Sequence, residues 1–195
     1  MKEKLREELN QMMWVAHQLY ERKLVTGSTG NISIFFENQI YVSASGGCLG
    51  RLNLDSISVL DKSGHLIRGP KPSKEWPLHL LVYKAFPDRR AVIHTHSTYS
   101  VLWGFLEQTN SKDCMPDYTP YLRMRLGKIG MIPFAKPGSE ELFKIFESQI
   151  AYSDGWLLQY HGAVVPGDDS MDAFYSMEEL EETAHIAWEL KNRQK

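Results

Sequence analysis

The chain has 195 residues, 43% of them hydrophobic and 24% charged, with a formal net charge of -2. That length suits one globular domain, residues 1–195, with a real core, and the composition excludes a disordered chain. No basic tract stands out, so nucleic acid is not expected as a partner, and an anionic substrate has to be drawn by a local site.

Leu5, Leu9, Met12, Ala16 and Leu19 recur at helical spacing, predicting an amphipathic first helix closed by Thr26-Gly27. Its dense charge excludes a signal peptide, and no later stretch approaches the roughly 18 apolar residues that span a bilayer. Residues 32–36 and 40–43 read as a hairpin around Glu37-Asn38-Gln39, and residues 57–60 and 65–67 as a second around Asp61-Lys62-Ser63-Gly64. Pro77 suits the first turn of a helix running to about Ala85. A buried strand is expected over 91–96, a helix over 98–106 and a strand over 131–134. Ser139 is a good N-cap for a helix through Phe146. A strand over 156–159 and a long helix over 170–191 complete the pattern. Hairpins mixed with single helices predict an α/β layer structure with a largely antiparallel sheet. Cys48 and Cys114 fit neither a metal nor a redox spacing and read as two reduced thiols in a cytoplasmic protein.

His94-Thr95-His96 carries the strongest chemical signal, because alternation on a strand points both imidazoles the same way. A pair alone does not make a metal site. His161, between an apolar run and Gly162, is the candidate third ligand. Three neutral imidazoles leave one zinc position open for substrate or a carboxylate. Glu75 is the candidate carboxylate, although an acid at a helix start can also simply favour the positive end of the helix dipole. His79, one turn later, reads as structural, and His17, His65 and His185 as surface or packing residues. The small-residue runs Thr26-Gly27-Ser28-Thr29-Gly30-Asn31 and Ser43-Ala44-Ser45-Gly46-Gly47 are either plain turns or amide nests for an anion, and with Ser73 they suggest one phosphate pocket.

Taken together, residues 26–33, Ser45-Gly46, Ser73-Lys74-Glu75, His94-Thr95-His96 and His161-Gly162 resemble, in order, the class II aldolase/adducin family. The resemblance covers nearly the whole chain. It implies a single α/β domain, with a mainly antiparallel sheet between helical layers, assembled as a homotetramer. It implies Zn2+ held by His94, His96 and His161, with Glu75 as the acid/base group that also approaches the metal. Gly30, Asn31, Ser45, Gly46 and Ser73 match the family's phosphate contacts, with Lys74 a further candidate beside them. Tyr121 matches a tyrosine that reaches a neighbouring subunit's site.

Within the family, Ser45-Gly46-Gly47-Cys48-Leu49-Gly50, Lys71-Pro72-Ser73-Lys74-Glu75, Thr119-Pro120-Tyr121, Arg123-Met124-Arg125-Leu126-Gly127 and residues 177–184 resemble the branch that decarboxylates 3-oxo-tetronate 4-phosphates. The implied activity is release of carbon dioxide and dihydroxyacetone phosphate through an enediolate on the metal. Sugar-phosphate aldolase or epimerase chemistry is the alternative, and a non-enzymatic adducin-like scaffold a remoter one. The aldolases resemble Pro-Ser-Ser-Glu where this chain has Lys74, so their second serine contact does not carry over.

Overall fold

The computed structural model describes residues 2–107 and 110–193. In chain order it contains α1 (Glu3–Glu21), β1 (Asn31–Phe36), β2 (Gln39–Ser43), β3 (Ile57–Asp61), β4 (Leu66–Arg68), α2 (Trp76–Ala85) and β5 (Ala91–Thr95). There follow α3 (Thr98–Trp103), α4 (Tyr121–Arg125), β6 (Ile129–Ile132), α5 (Glu140–Gln149), β7 (Gly155–Leu158), β8 (Gly162–Gly167) and α6 (Ser170–Arg193). Eight strands form one sheet in the order β4-β3-β2-β1-β5-β8-β7-β6. Every neighbouring pair is antiparallel except β6 and β7.

The sheet lies between two helical layers, as the resemblance implied. On one side Leu9, Met12, Ala16 and Leu19 of α1 pack with Phe174, Met177, Leu180 and Ala184 of α6 over Ile32, Ile93 and Val165. On the other, Leu78 and Val82 of α2 and Leu142 and Phe146 of α5 cover Val42, Val92, Trp156 and Val164. Burying one side chain the size of Phe174 contributes about 1.5–3 kcal/mol. Alternation along β5 sends Ala91 and Ile93 to the first core and Val92 to the second, so His94 faces the α2 side. Among the described residues no helix is long and apolar enough to cross a membrane.

Several boundaries differ from expectation. The first helix stops at Glu21, five residues before Thr26, because Lys23 turns left-handed (φ 62°). Leu24 N–H then donates to Leu19 O and Lys23 N–H to Tyr20 O, while Leu24 packs with Leu19, a Schellman ending that needs no glycine. The strand expected over 131–134 is Ile129–Ile132, since its parallel partner β7 ends at Leu158 opposite Ile132. The helix expected to reach Leu106 ends at Trp103. Strand β8 is not expected from the residues, because glycine and proline argue against strands. Pro166 lies beyond the last β7 rung, Trp156 against Val164, an edge-like setting in which a strand tolerates proline. Ser139 caps α5 as expected, its Oγ accepting from Leu142 N–H at 3.2 Å.

Candidate metal centre and substrate cavity

Three elements bring the predicted ligands together. His94 lies near the end of β5, opposite Asn31 in the last rung with β1 and opposite Val164 of β8. His96 follows just beyond the strand. The chain after it is held by Glu181 of α6, which accepts from the N–H groups of Tyr99 and Ser100 and from the Ser100 hydroxyl. His161 sits in the tight turn between β7 and β8, where His161 N–H donates to Leu158 O. Tyr160 in that turn has φ 59°, a conformation costing a non-glycine residue of order 1–3 kcal/mol. Its ring lies tilted against Phe105 and Phe134, at centroid distances of 4.8 and 5.9 Å. Gly162 lets the turn close on β5: a Cβ there would lie 2.0 Å from Thr95 O. A Cβ on Gly30 would lie 2.8 Å from His94 O, so glycine is required on both flanks of the histidine strand.

Glu75 stands at the N-cap of α2 but makes no side-chain capping hydrogen bond. Instead its carboxylate, only 6% exposed, lies 3.3 Å from Nε2 of both His94 and His161. The two histidines of the His-x-His pair face each other, Nε2 to Nε2, at 3.0 Å. One ligand atom from each of Glu75, His94, His96 and His161 falls within 4.8 Å of the others. The three imidazole centroids are 4.8–4.9 Å apart, with ring planes crossing at 66–77°.

This donor set fits a cation. His94 Nδ1–H donates to Ala163 O at 2.9 Å, which leaves its Nε2 lone pair aimed into the cluster. Among the described residues, Glu75 Oε1 and both ring nitrogens of His161 are buried without hydrogen-bond partners. Acceptors crowded together without donors are satisfied by an ion. Ligands about 2.0–2.1 Å from zinc at tetrahedral angles lie roughly 3.3–3.4 Å from one another, close to the 3.3 Å from Glu75 to His94 and to His161.

The electrostatics agree. Burial would raise the Glu75 carboxyl, but the facing imidazoles of His94, His161 and His96 outweigh it and bring it to about 2 in the metal-free chain. Burial, and then the charge of His94, push His96 down to about 4 and His161 to about 3 against the pull of Glu75, with a smaller push from Lys74. His79 is likewise driven to about 3 by burial and His94. Its Nδ1 lies 2.7 Å from Ser33 Oγ, which in turn meets the Tyr83 hydroxyl at 2.7 Å, so it belongs to the packing beneath the site.

These depressed histidines predict an acid-sensitive fold. Below the ordinary value of 6.5 the unfolded chain takes up protons that the native histidines refuse, so stability falls as pH falls. The metal-free protein is expected to lose melting temperature steadily between about pH 6.5 and about pH 4. A flat melting temperature across that window would show that the buried imidazoles protonate freely in the folded chain.

Beside the cluster lies a cavity of about 290 Å³ lined by Ser28, Thr29, Gly30, Asn31, Ala44, Ser45, Gly46, Ser73, Lys74, Glu75 and His96. Its far wall is held by cross-links between distant segments: Ser45 N–H donates to Lys71 O, Ser73 N–H to Ser43 O, and Ala44 bridges Pro72. Gly30 and Gly46 have φ of 75° and 72°. Asn31 is 2% exposed and its Oδ1 has no partner. All the predicted phosphate contacts therefore share one cavity with Glu75 and His96. Ser28 and Thr29 join them, from a run whose residues alone allow either a plain turn or a nest. Tyr121 does not line this cavity. It is 62% exposed on α4, in a separate cleft with Met124 and Arg125.

The Class II Aldolase and Adducin N-terminal domain profile matches residues 10–188. The chain belongs to this family. It is 38% identical over 183 residues to a Haemophilus influenzae 3-oxo-tetronate 4-phosphate decarboxylase, covering 93% of this chain and 87% of that one. It is 35% identical over 179 residues to an L-fuculose phosphate aldolase of Methanococcus vannielii, covering 92% and 94%. YgbL of Klebsiella pneumoniae superposes with a TM-score of 0.92 at 33% identity, over 96% of this chain and 91% of that chain. Class II aldolases are metal-dependent, and among the described residues the cluster of three histidines and Glu75 is one that could hold an ion.

Proposed function

We propose that the protein decarboxylates a 3-oxo-tetronate 4-phosphate to dihydroxyacetone phosphate and carbon dioxide, with zinc at the histidine cluster. The observation that carries this reading is one cavity in which Ser45, Gly46 and Ser73 lie beside Glu75 and the imidazoles. The choice of reaction within the family follows the likeness to the decarboxylases.

His94, His96 and His161 would hold a zinc ion, which would supply Lewis acidity toward the substrate. The chain does the rest. Amides of the Gly30 and Gly46 turns and the hydroxyls of Ser45 and Ser73 take the phosphate, and the unpartnered Asn31 Oδ1 accepts from a substrate hydroxyl. When the C1–C2 bond breaks and carbon dioxide leaves, C2 needs a proton, and Glu75 delivers it. The added negative charge of the bound substrate raises the Glu75 carboxyl, which lets it take that proton from solvent.

The zinc-loaded protein, given 3-oxo-tetronate 4-phosphate stereoisomers, is expected to form carbon dioxide and dihydroxyacetone phosphate in equal amounts in a coupled assay. Release of an aldehyde from a sugar phosphate in place of carbon dioxide would replace this reading with an aldolase. A chain that binds no metal and turns over neither substrate would leave the scaffold reading.

The functional unit in this reading is a cytoplasmic homotetramer in which exposed Tyr121 serves a neighbouring subunit. Its absence from its own cavity supports this, as do the unpaired thiols of Cys48 and Cys114. A fully active monomer in sedimentation experiments would overturn the shared site.

A further inference from the structure

Lys74 is an exposed cation set between two buried residues of the site, Ser73 and Glu75. Among the described residues it has neither an ion-pair nor a hydrogen-bond partner, unlike Lys2, which pairs with Glu37 at 2.8 Å. Its nearest acid in sequence, Glu75, turns its carboxylate inward to the histidines. The side chain nevertheless runs along a defined path. Gly138, between β6 and α5, has φ 76°, and a Cβ there would lie 2.8 Å from Lys74 Cδ and 3.0 Å from Cγ. The lysine stem thus lies across bare backbone while the residue lines the cavity with Ser45, Gly46 and Ser73.

We propose that Lys74 is the charged anchor for the phosphate end of the substrate, and that Gly138 is the positioning residue that gives its stem room. This rests on the phosphorylated keto-acid reading above. The substrate carries two anions, and the chemistry separates them. A cation on the carboxylate would bind the reactant and lose that interaction as neutral carbon dioxide departs, so it would slow the bond-breaking step. A cation on the phosphate meets the same charge before, during and after the reaction and acts as uniform binding. Lys74 lines the same cavity as the two serines and Gly46, the residues that take the phosphate in the reading above.

The experiment compares Lys74→Met, Lys74→Ser and Gly138→Ala in the metal-loaded protein. Removing a charge-assisted hydrogen bond to the phosphate is expected to raise KM about 10- to 100-fold and to leave kcat nearly unchanged. Gly138→Ala should raise KM partway and have no further effect once Lys74 is Met. A kcat that rises together with KM would place Lys74 on the carboxylate instead, and unchanged constants would make it a bystander; either result overturns the assignment. Calorimetric titration with glycerol 3-phosphate separates this inference from the reaction assigned above. If the parent decarboxylates nothing but binds glycerol 3-phosphate more tightly than Lys74→Met does, the anchor stands and the reaction falls. Equal affinities refute the anchor.

Discussion

Replacing His94 with alanine is expected to empty the metal centre and lower turnover by at least about a thousandfold, because Lewis-acid stabilisation supplies several kcal/mol and each 1.36 kcal/mol is a decade. His94 is the cluster residue on which most geometry converges. Its Nδ1 is tied to Ala163 O at 2.9 Å, its Nε2 lies 3.0 Å from that of His96, and Glu75 approaches it at 3.3 Å. Elemental analysis should find close to one zinc per chain in the parent and almost none in the variant. Chelation of the parent should reproduce the loss, and zinc should restore activity and raise the melting temperature as a native-state ligand must. Full zinc occupancy in a folded His94→Ala, His96→Ala double variant would remove these residues from the ligand set.

Glu75→Gln separates proton transfer from binding. The amide keeps the shape of the side chain but cannot carry the proton to C2. General acid–base groups contribute about 10²–10⁴-fold, so turnover should fall at least about a hundredfold while substrate still binds. The competing role, an acid favouring the start of α2, would instead cost about 0.3–1 kcal/mol of stability with turnover nearly intact. The structure already weighs against that role, since the carboxylate faces the imidazoles and makes no capping bond. Zinc has to be measured in the same variant, because a lost ligand imitates a lost proton carrier. A zinc-loaded Glu75→Gln protein turning over at the parent rate would sink the assignment.

Periodicity made much of this legible from the residues. Apolar spacing marked α1, an N-cap serine marked α5, and the two hairpins followed from β-rich runs around turn residues. Alternation around Thr95 placed His94 and His96 on one side, where their Nε2 atoms do meet. Small residues at 26–31 and 43–47 marked the turns that now line one cavity. All of these signals are local, set by the geometry of a few consecutive residues.

Tertiary structure decided what depends on partners distant in sequence. Strand β8 exists because β5 and β7 flank it, which its glycines and proline could not announce. The carbonyl of Ala163 that sets the His94 tautomer is 69 residues away, and a backbone carbonyl leaves no mark in the residue pattern. Whether Glu75 caps α2 or faces the histidines, and whether Lys74 is paired or free for an anion, turned on side-chain direction at a helix start. The left-handed Tyr160 in the turn that carries His161 was equally hidden, because aromatic residues rarely adopt that conformation and its ring neighbours, Phe105 and Phe134, are distant in sequence. Residue type and spacing specify which elements form and which groups are available for chemistry. Which of those groups converge follows from long-range pairing across the sheet, whose register depends on neighbours far apart in the chain.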